Sequence, residues 1–191
     1  MSTEKVEMGK HAPPMAMPVC LVGAMVKGRA NFCTVAWFTV LDDEPPMVAV
    51  VLGKGRATKE GIEENGTFSV NIPSEFNVTA VDHCGLNSGR EVDKSKVFKL
   101  SFGSLRTAPL ADECPISAEC RLEKIIEFPG TDLVIGEVVQ LHVDRRIVSD
   151  GKVDVEGLRP LLYCFPGGPY LSIGPPVAEA FKVGKSFVAK D

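Results

Sequence analysis

The segment Gly53-Lys54-Gly55-Arg56-Ala57-Thr58-Lys59-Glu60 places a glycine-flanked basic turn at the start of a helix-like stretch that runs to Glu64-Asn65-Gly66. Such a place can hold a phosphate. The first-turn N–H groups of a helix lack intrahelical partners, and the helix dipole is positive there. Lys54 and Arg56 would add charge and Thr58 a hydroxyl donor. The turn is neither a P-loop nor a dinucleotide fingerprint, so an ordinary solvated turn is the competing reading of the same residues.

Other reactive side chains say less. The six cysteines, Cys20, Cys33, Cys84, Cys114, Cys120 and Cys164, form no C-x-x-C pair, and no Cys/His spacing suggests zinc. They read as reduced thiols, mostly buried as small hydrophobes. Cys84 stands apart because Asp82-His83-Cys84-Gly85 is polar and reads as loop, where a thiol could react. The three histidines, His11, His83 and His142, make no cluster.

The 191 residues fit one domain with a small appendage, and the 45% apolar share supports a core. A net charge of −4 argues against a nucleic-acid binder. No stretch is long and apolar enough for a membrane helix, and the N-terminus lacks the apolar run of a signal peptide, so the expected home is the cytoplasm.

The elements that must position the turn follow from punctuation and periodicity. Pro18 to Val26 reads as a strand, Lys27-Gly28-Arg29 as a hairpin turn, and Asn31 to Val40 as a second strand. Asp42 to Pro46 is a polar, proline-stopped loop, and Met47 to Leu52 a third strand that feeds the basic turn. Thr58 to Asn65 is a short helix stopped by Asn65-Gly66. Thr67 to Ile72 alternates as a half-buried strand. Ser74 to His83 reads as a helix capped by Ser74, and 84 to 96 as a polar loop. Leu100 to Leu105 is a weak strand, and Ile116 to Phe128 and Leu133 to Val148 are long strands. Many strands, local turns and few helices point to an antiparallel barrel rather than a doubly wound sheet.

Met17-Pro18-Val19, Leu21-Val22-Gly23-Ala24, Asn31-Phe32-Cys33-Thr34-Val35-Ala36-Trp37-Phe38, Gly66-Thr67-Phe68-Ser69-Val70-Asn71-Ile72-Pro73, Cys84-Gly85 with Ser88-Gly89, Val92-Asp93-Lys94-Ser95, Ala108-Pro109-Leu110 and Ile135-Gly136-Glu137-Val138 occur in this order. In them the chain resembles the flavin reductase-like proteins of the FMN-binding split-barrel group, and most of all the flavoredoxin branch. The resemblance runs from about Pro18 to Gly174. It implies a mainly β fold, a six-stranded antiparallel Greek-key split barrel with a few short helices. It also implies an N-terminal arm at 1–16, the barrel domain at 17–174 and a tail at 175–191 packing on the barrel or a partner subunit. The cofactor implied is FMN, with NADH or NADPH as the candidate co-substrate. The assembly implied is a homodimer with FMN near the subunit interface.

The same resemblance assigns residues. Asn31, Thr34, Val35, Ala36 and Trp37 would lie along the flavin ring, mostly through backbone groups. Lys54, Arg56 and Thr58 would hold the phosphate, in agreement with the independent reading of that turn. Lys94 would reach the flavin or its phosphate, and Phe165 would neighbour the ring. Relatives often carry a histidine just before the Gly-Glu-Val strand. Here Thr131 stands at that slot, and a neutral hydroxyl cannot offer an imidazolium's charge. This departure separates two expectations: an FMN oxidoreductase that takes a hydride from NAD(P)H, and an FMN carrier that exchanges electrons with a redox-protein partner without a nicotinamide step. A third reading, a barrel that has lost redox use, sits poorly with an intact phosphate turn. A second departure is Gly174-Pro175-Pro176, where relatives often have Gly-Glu.

Overall fold

The computed structural model describes residues 4–188. Its main sheet has seven antiparallel strands rather than six. In chain order they are β2 (Cys20–Val26), β3 (Arg29–Val35), β4 (Phe38–Asp43), β5 (Pro46–Gly53), β6 (Thr67–Ile72), β9 (Ile116–Glu127) and β10 (Thr131–Val143). Between these fall two residue pairs, β7 (Leu100–Ser101) and β8 (Leu110–Ala111), which form a ribbon of their own. The spatial order of the main sheet is β3-β2-β6-β9-β10-β5-β4. The extra strand arises because Asn31 to Val40 is not continuous: the chain bends at Ala36 and Trp37 and resumes as β4.

That bend closes the barrel. β3 and β4 are halves of one stretch, yet they occupy the two edges of the sheet. Two residues can join opposite edges only if the sheet curls until the edges come near each other, without pairing. The Trp37 carbonyl accepts a hydrogen bond from the Val51 N–H of β5 at 2.8 Å, which carries the β4–β5 pairing into the bend.

Strand alternation sorts the core into two parts. Cys20, Val22, Cys33, Val35, Val50, Phe68, Val70 and Val134 fill the barrel, with Ile62 of helix α1 (Ala57–Asn65). Their strand neighbours Val19, Leu21, Ala30 and Phe32 face outward and pack against Val81 and Cys84 of helix α2 (Val78–Leu86). A second sheet, β1 (Met15–Pro18), β13 (Leu162–Phe165) and β14 (Tyr170–Leu171), packs Tyr163 and Tyr170 on this outer layer. Besides short 3-10 turns, the chain also forms a hairpin of β11 (Val148–Ser149) and β12 (Lys152–Val153) and a single helical turn, α3 (Val155–Leu158).

Local signals account for the ends. Lys27 and Gly28 adopt positive φ in the β2–β3 turn, the geometry that matches strand twist. Gly66 ends α1 in the left-handed conformation, its N–H bonded to the Ile62 carbonyl. Ser74 caps the 3-10 turn Glu75–Asn77 that leads into α2, in a reciprocal capping box with Asn77. The expected strand at Leu100 to Leu105 is only two residues long. Among the described residues no helix is long and apolar enough to cross a membrane.

Candidate functional site

Helix α1 starts directly after β5, and its N-cap residue Arg56 makes no side-chain capping bond. The amides of its first turn, beside Lys54 and Arg56, are therefore not satisfied by an N-cap side chain. The Arg56 guanidinium reaches across to α2 and donates to the Gly85 carbonyl at 3.3 Å. Thr58 is buried and accepts a hydrogen bond from the Asn31 amide at 2.8 Å. This bond ties the helix start to β3 and joins the two groups that the sequence assigned to different parts of the cofactor.

Asn31 is itself buried, and its Oδ1 has no hydrogen-bond partner among the described residues. A buried unpaired amide oxygen costs free energy and calls for an explanation. Gly89 sits so close to it that a Cβ there would overlap the amide, which accounts physically for the glycine in Ser88-Gly89. Beside Asn31 a cavity of about 170 Å³ opens, walled also by Lys94, Glu60 and Arg90.

β3 is an edge strand, so one side of its backbone is free of strand partners. The Phe32 carbonyl lies on that side, because it accepts from the Lys94 ammonium at 3.0 Å. Residues two apart point the same way, which puts the N–H and C=O of Thr34 on the free edge as well. The Thr34 hydroxyl donates to the Val81 carbonyl and holds α2 against this edge. Val35 points its side chain into the barrel, so only its backbone is available to a ligand.

Lys94 is buried and also donates to the Cys84 carbonyl at 2.7 Å. Burial pulls its ammonium below the ordinary lysine range. Two of its three N–H groups are committed to the carbonyls, which leaves one to offer. Its loop is thus packed rather than solvated.

At the far end of the edge, Trp37 is 39% exposed and stands edge-on to Phe165, ring centroids 5.5 Å apart and planes at 72°. Sequence reasoning named both residues, and the bend at Ala36 together with the β1–β13 pairing brings them into contact.

Lys54 differs from the expectation of a free cation. Its ammonium is bonded to Asp132 and lies 3.6 Å from Glu127. The Asp132 hydrogen bond holds the Lys54 ammonium above the usual lysine value. Asp132 is 1% exposed, and its Oδ2 has no partner among the described residues. Thr131 pairs in register with Gly53, so it lies beside the basic turn.

Three residues near the turn escaped sequence reasoning. Asp132 and Glu127 belong to β10 and β9, and only the antiparallel register brings them to Lys54. Arg90 donates to the Gly55 carbonyl and pairs with Glu60. A lone acid opening the apolar run Leu133-Val134-Ile135 was the one available signal. The Cys84 expectation is corrected: residue 84 lies inside α2, fully buried, and burial pushes its thiol up to about 11, which keeps it protonated and inert. His83 is also helical and contacts Asn87 at 3.1 Å. His142 places its Nε2 2.7 Å from fully buried Glu119, which also accepts the Ser104 and Leu105 N–H groups and anchors their loop.

A family model described as the flavin reductase like domain matches residues 10–169. Among solved structures, the chain is similar to flavoredoxin from Methanosarcina acetivorans, with 39% identity, a TM-score of 0.93 and coverage of 96% of this chain and 99% of that one. It is also similar to flavoredoxin of Desulfovibrio vulgaris (Miyazaki F), with 30% identity, a TM-score of 0.86 and coverage of 95% and 100%. The FMN reductase (NADH) RutF of Agrobacterium fabrum is 25% identical over 119 residues, 61% of this chain and 66% of that one. The chain belongs to the flavin reductase-like domain family.

Proposed function

From that membership we propose that the chain binds FMN along the free edge of β3, with the phosphate at the start of α1, and acts as a flavin reductase-like oxidoreductase. The observation that carries the reading is the junction of an uncapped, basic helix start with an open strand edge through the Asn31–Thr58 bond. A phosphate next to a planar heterocycle with alternating donors and acceptors suits these two surfaces. The buried Asn31 Oδ1, unpaired in the protein alone, is an acceptor suited to a ligand hydroxyl or N–H. The residues therefore fit the group. The names of the flavoredoxin and FMN reductase relatives support the same reading.

Arg56, Thr58 and the α1 amides would hold the phosphate, joined by Lys54 once it leaves Asp132. The Thr34 backbone would order the ring's polar edge, and Lys94, charged and desolvated beneath the strand, would favour negative charge there. Trp37 and Phe165 would wall the outer end against water. Bound FMN would supply the redox step, accepting electrons from a reduced donor and releasing them to an acceptor. The alternative reading, a carrier without a direct nicotinamide step, draws on Thr131: the position opposite Gly53 offers no imidazolium.

Anaerobic mixing of the FMN-loaded protein with NADH or NADPH separates the two. Bleaching of the flavin bands by a nicotinamide is the expected result for the oxidoreductase. Bands that persist with both nucleotides and bleach with dithionite would replace it with the carrier.

A further inference from the structure

The loop 87–93 runs beside the start of α1 and is tied down at both ends. Lys94 holds one end to the Phe32 and Cys84 carbonyls, and the Asn87 N–H bonds back to the His83 carbonyl at the other. Between them Gly89 presses on the Asn31 amide, and the Arg90 N–H bonds the Ser88 hydroxyl at 3.2 Å. So anchored, the loop directs Arg90 back over α1.

The Arg90 guanidinium spans the helix start. One of its nitrogens donates to the Gly55 carbonyl and another to the Glu60 carboxylate. These acceptors flank Ala57 and Thr58, the first two residues of the helix. Arg90 thus lies along the turn where the phosphate is proposed to sit. Two of its five N–H donors are engaged, which leaves three in a planar fork that suits phosphate oxygens. Arg90 and Glu60 are both half-exposed, so their pairing is weak and open to exchange.

The cavity of about 170 Å³ beside Asn31 adds charge and shape to this picture. Its wall carries four cations, Lys27, Arg29, Arg90 and Lys94, against the two carboxylates of Glu60 and Asp93. Arg90 pairs with Glu60 and Arg29 with Asp93, so Lys27 and Lys94 have no carboxylate partner among the described residues. That surplus matches a phosphomonoester, which carries about −1.5 to −2 charge at neutral pH. The unpaired Asn31 Oδ1 adds an acceptor for a ligand hydroxyl. Nucleoside-sized ligands fill pockets of about 300 Å³ or more. On this side of α1 there is no room for an adenosine beyond the phosphate while Arg90 and Glu60 stay in place.

We propose that Arg90 determines which flavin the site takes. Its guanidinium moves from Glu60 onto the terminal phosphate of a mononucleotide, and its position bars a dinucleotide such as FAD. The inference rests on the flavin reading of the site and adds to it a specificity residue on the loop 87–93.

The test is equilibrium titration of the full-length apoprotein and its Arg90→Ala variant with FMN, FAD and riboflavin. The parent protein should take FMN in preference to FAD. Arg90→Ala should lose at least about tenfold in FMN affinity, the worth of a charge-assisted hydrogen bond, while FAD affinity does not fall and riboflavin affinity is unchanged. The riboflavin arm reports the fold of the variant. A loss shared by all three ligands marks a structural role and overturns the proposal. So does a parent protein that takes FAD as tightly as FMN, or an FMN-to-FAD ratio that Arg90→Ala leaves in place. A parent protein that binds FMN and riboflavin under any of these outcomes keeps the flavin reading and loses only the role of Arg90; one that binds none of the three overturns both.

Discussion

Asp132 and Lys54 show how one pair would restrain the phosphate site proposed at the start of α1. The carboxylate is buried with one oxygen unpaired, and the lysine it holds is part-exposed at 39%. An anion arriving at α1 must therefore compete with Asp132 for Lys54, while Arg56 and the helix amides stay available. Replacing Asp132 by Asn removes the competing charge and keeps the volume. FMN affinity should rise, because the anion no longer competes with a carboxylate for Lys54, while riboflavin affinity stays put. Fluorescence titration with both ligands measures this; a fall in FMN affinity would mean that the pair positions the turn instead of restraining it. The basic residues of this site were legible in the sequence because Lys54, Arg56 and Thr58 fall within five positions of each other. Asp132 was not, because its contact spans 78 positions and exists only through the β5–β10 register.

At the scale of elements, the site depends on α2 and on the sheet behind it. α2 supplies the carbonyls of Val81, Cys84 and Gly85 to Thr34, Lys94 and Arg56, so a shift of this one helix would disturb three assigned residues together. The Tyr170 hydroxyl of β14 braces the helix from outside by donating to Asp82 at 3.0 Å. Burial first, and then the Asp82 carboxylate, push the Tyr170 phenol from 10.0 up to about 12. The folded state thus retains a proton that the unfolded chain loses. The stability contributed is fully present below pH 10 and is lost as the pH climbs from 10 toward 12. Tyr170→Phe should lower stability at neutral pH by about 1 kcal/mol through the lost hydrogen bond, and should flatten the alkaline decline. Denaturant unfolding of both proteins across that range would show it; parallel declines would place the titration elsewhere. The helix was expected to end at His83, and the extra turn to Leu86 is what converts Cys84 from a loop thiol to a buried one. Polar flanks hid this, because tertiary packing against β3 outweighs the local composition.

For the whole molecule, an antiparallel barrel was legible from strand count and turn chemistry, and the order of the motifs located it in a family. What the sequence hid was closure. A continuous run from Asn31 to Val40 reads as one strand, yet the chain has to change sheet edges at Ala36 and Trp37 for the barrel to shut. That corner also exposes Trp37 and places it on Phe165, 128 positions away, at the end of the proposed flavin edge. Closure thus produces the two features on which the proposed function rests, an open backbone edge on β3 and a basic helix start beside it.

The most direct test of this account is parallel titration of the apoprotein and its Arg56→Ala variant with FMN and with riboflavin, which lacks only the phosphate. The account predicts that the parent protein prefers FMN, and that Arg56→Ala loses at least about tenfold in FMN affinity, near 1.4 kcal/mol, with riboflavin binding unchanged. Equal affinity of the parent protein for the two ligands, or an FMN affinity that Arg56→Ala leaves intact, would contradict it.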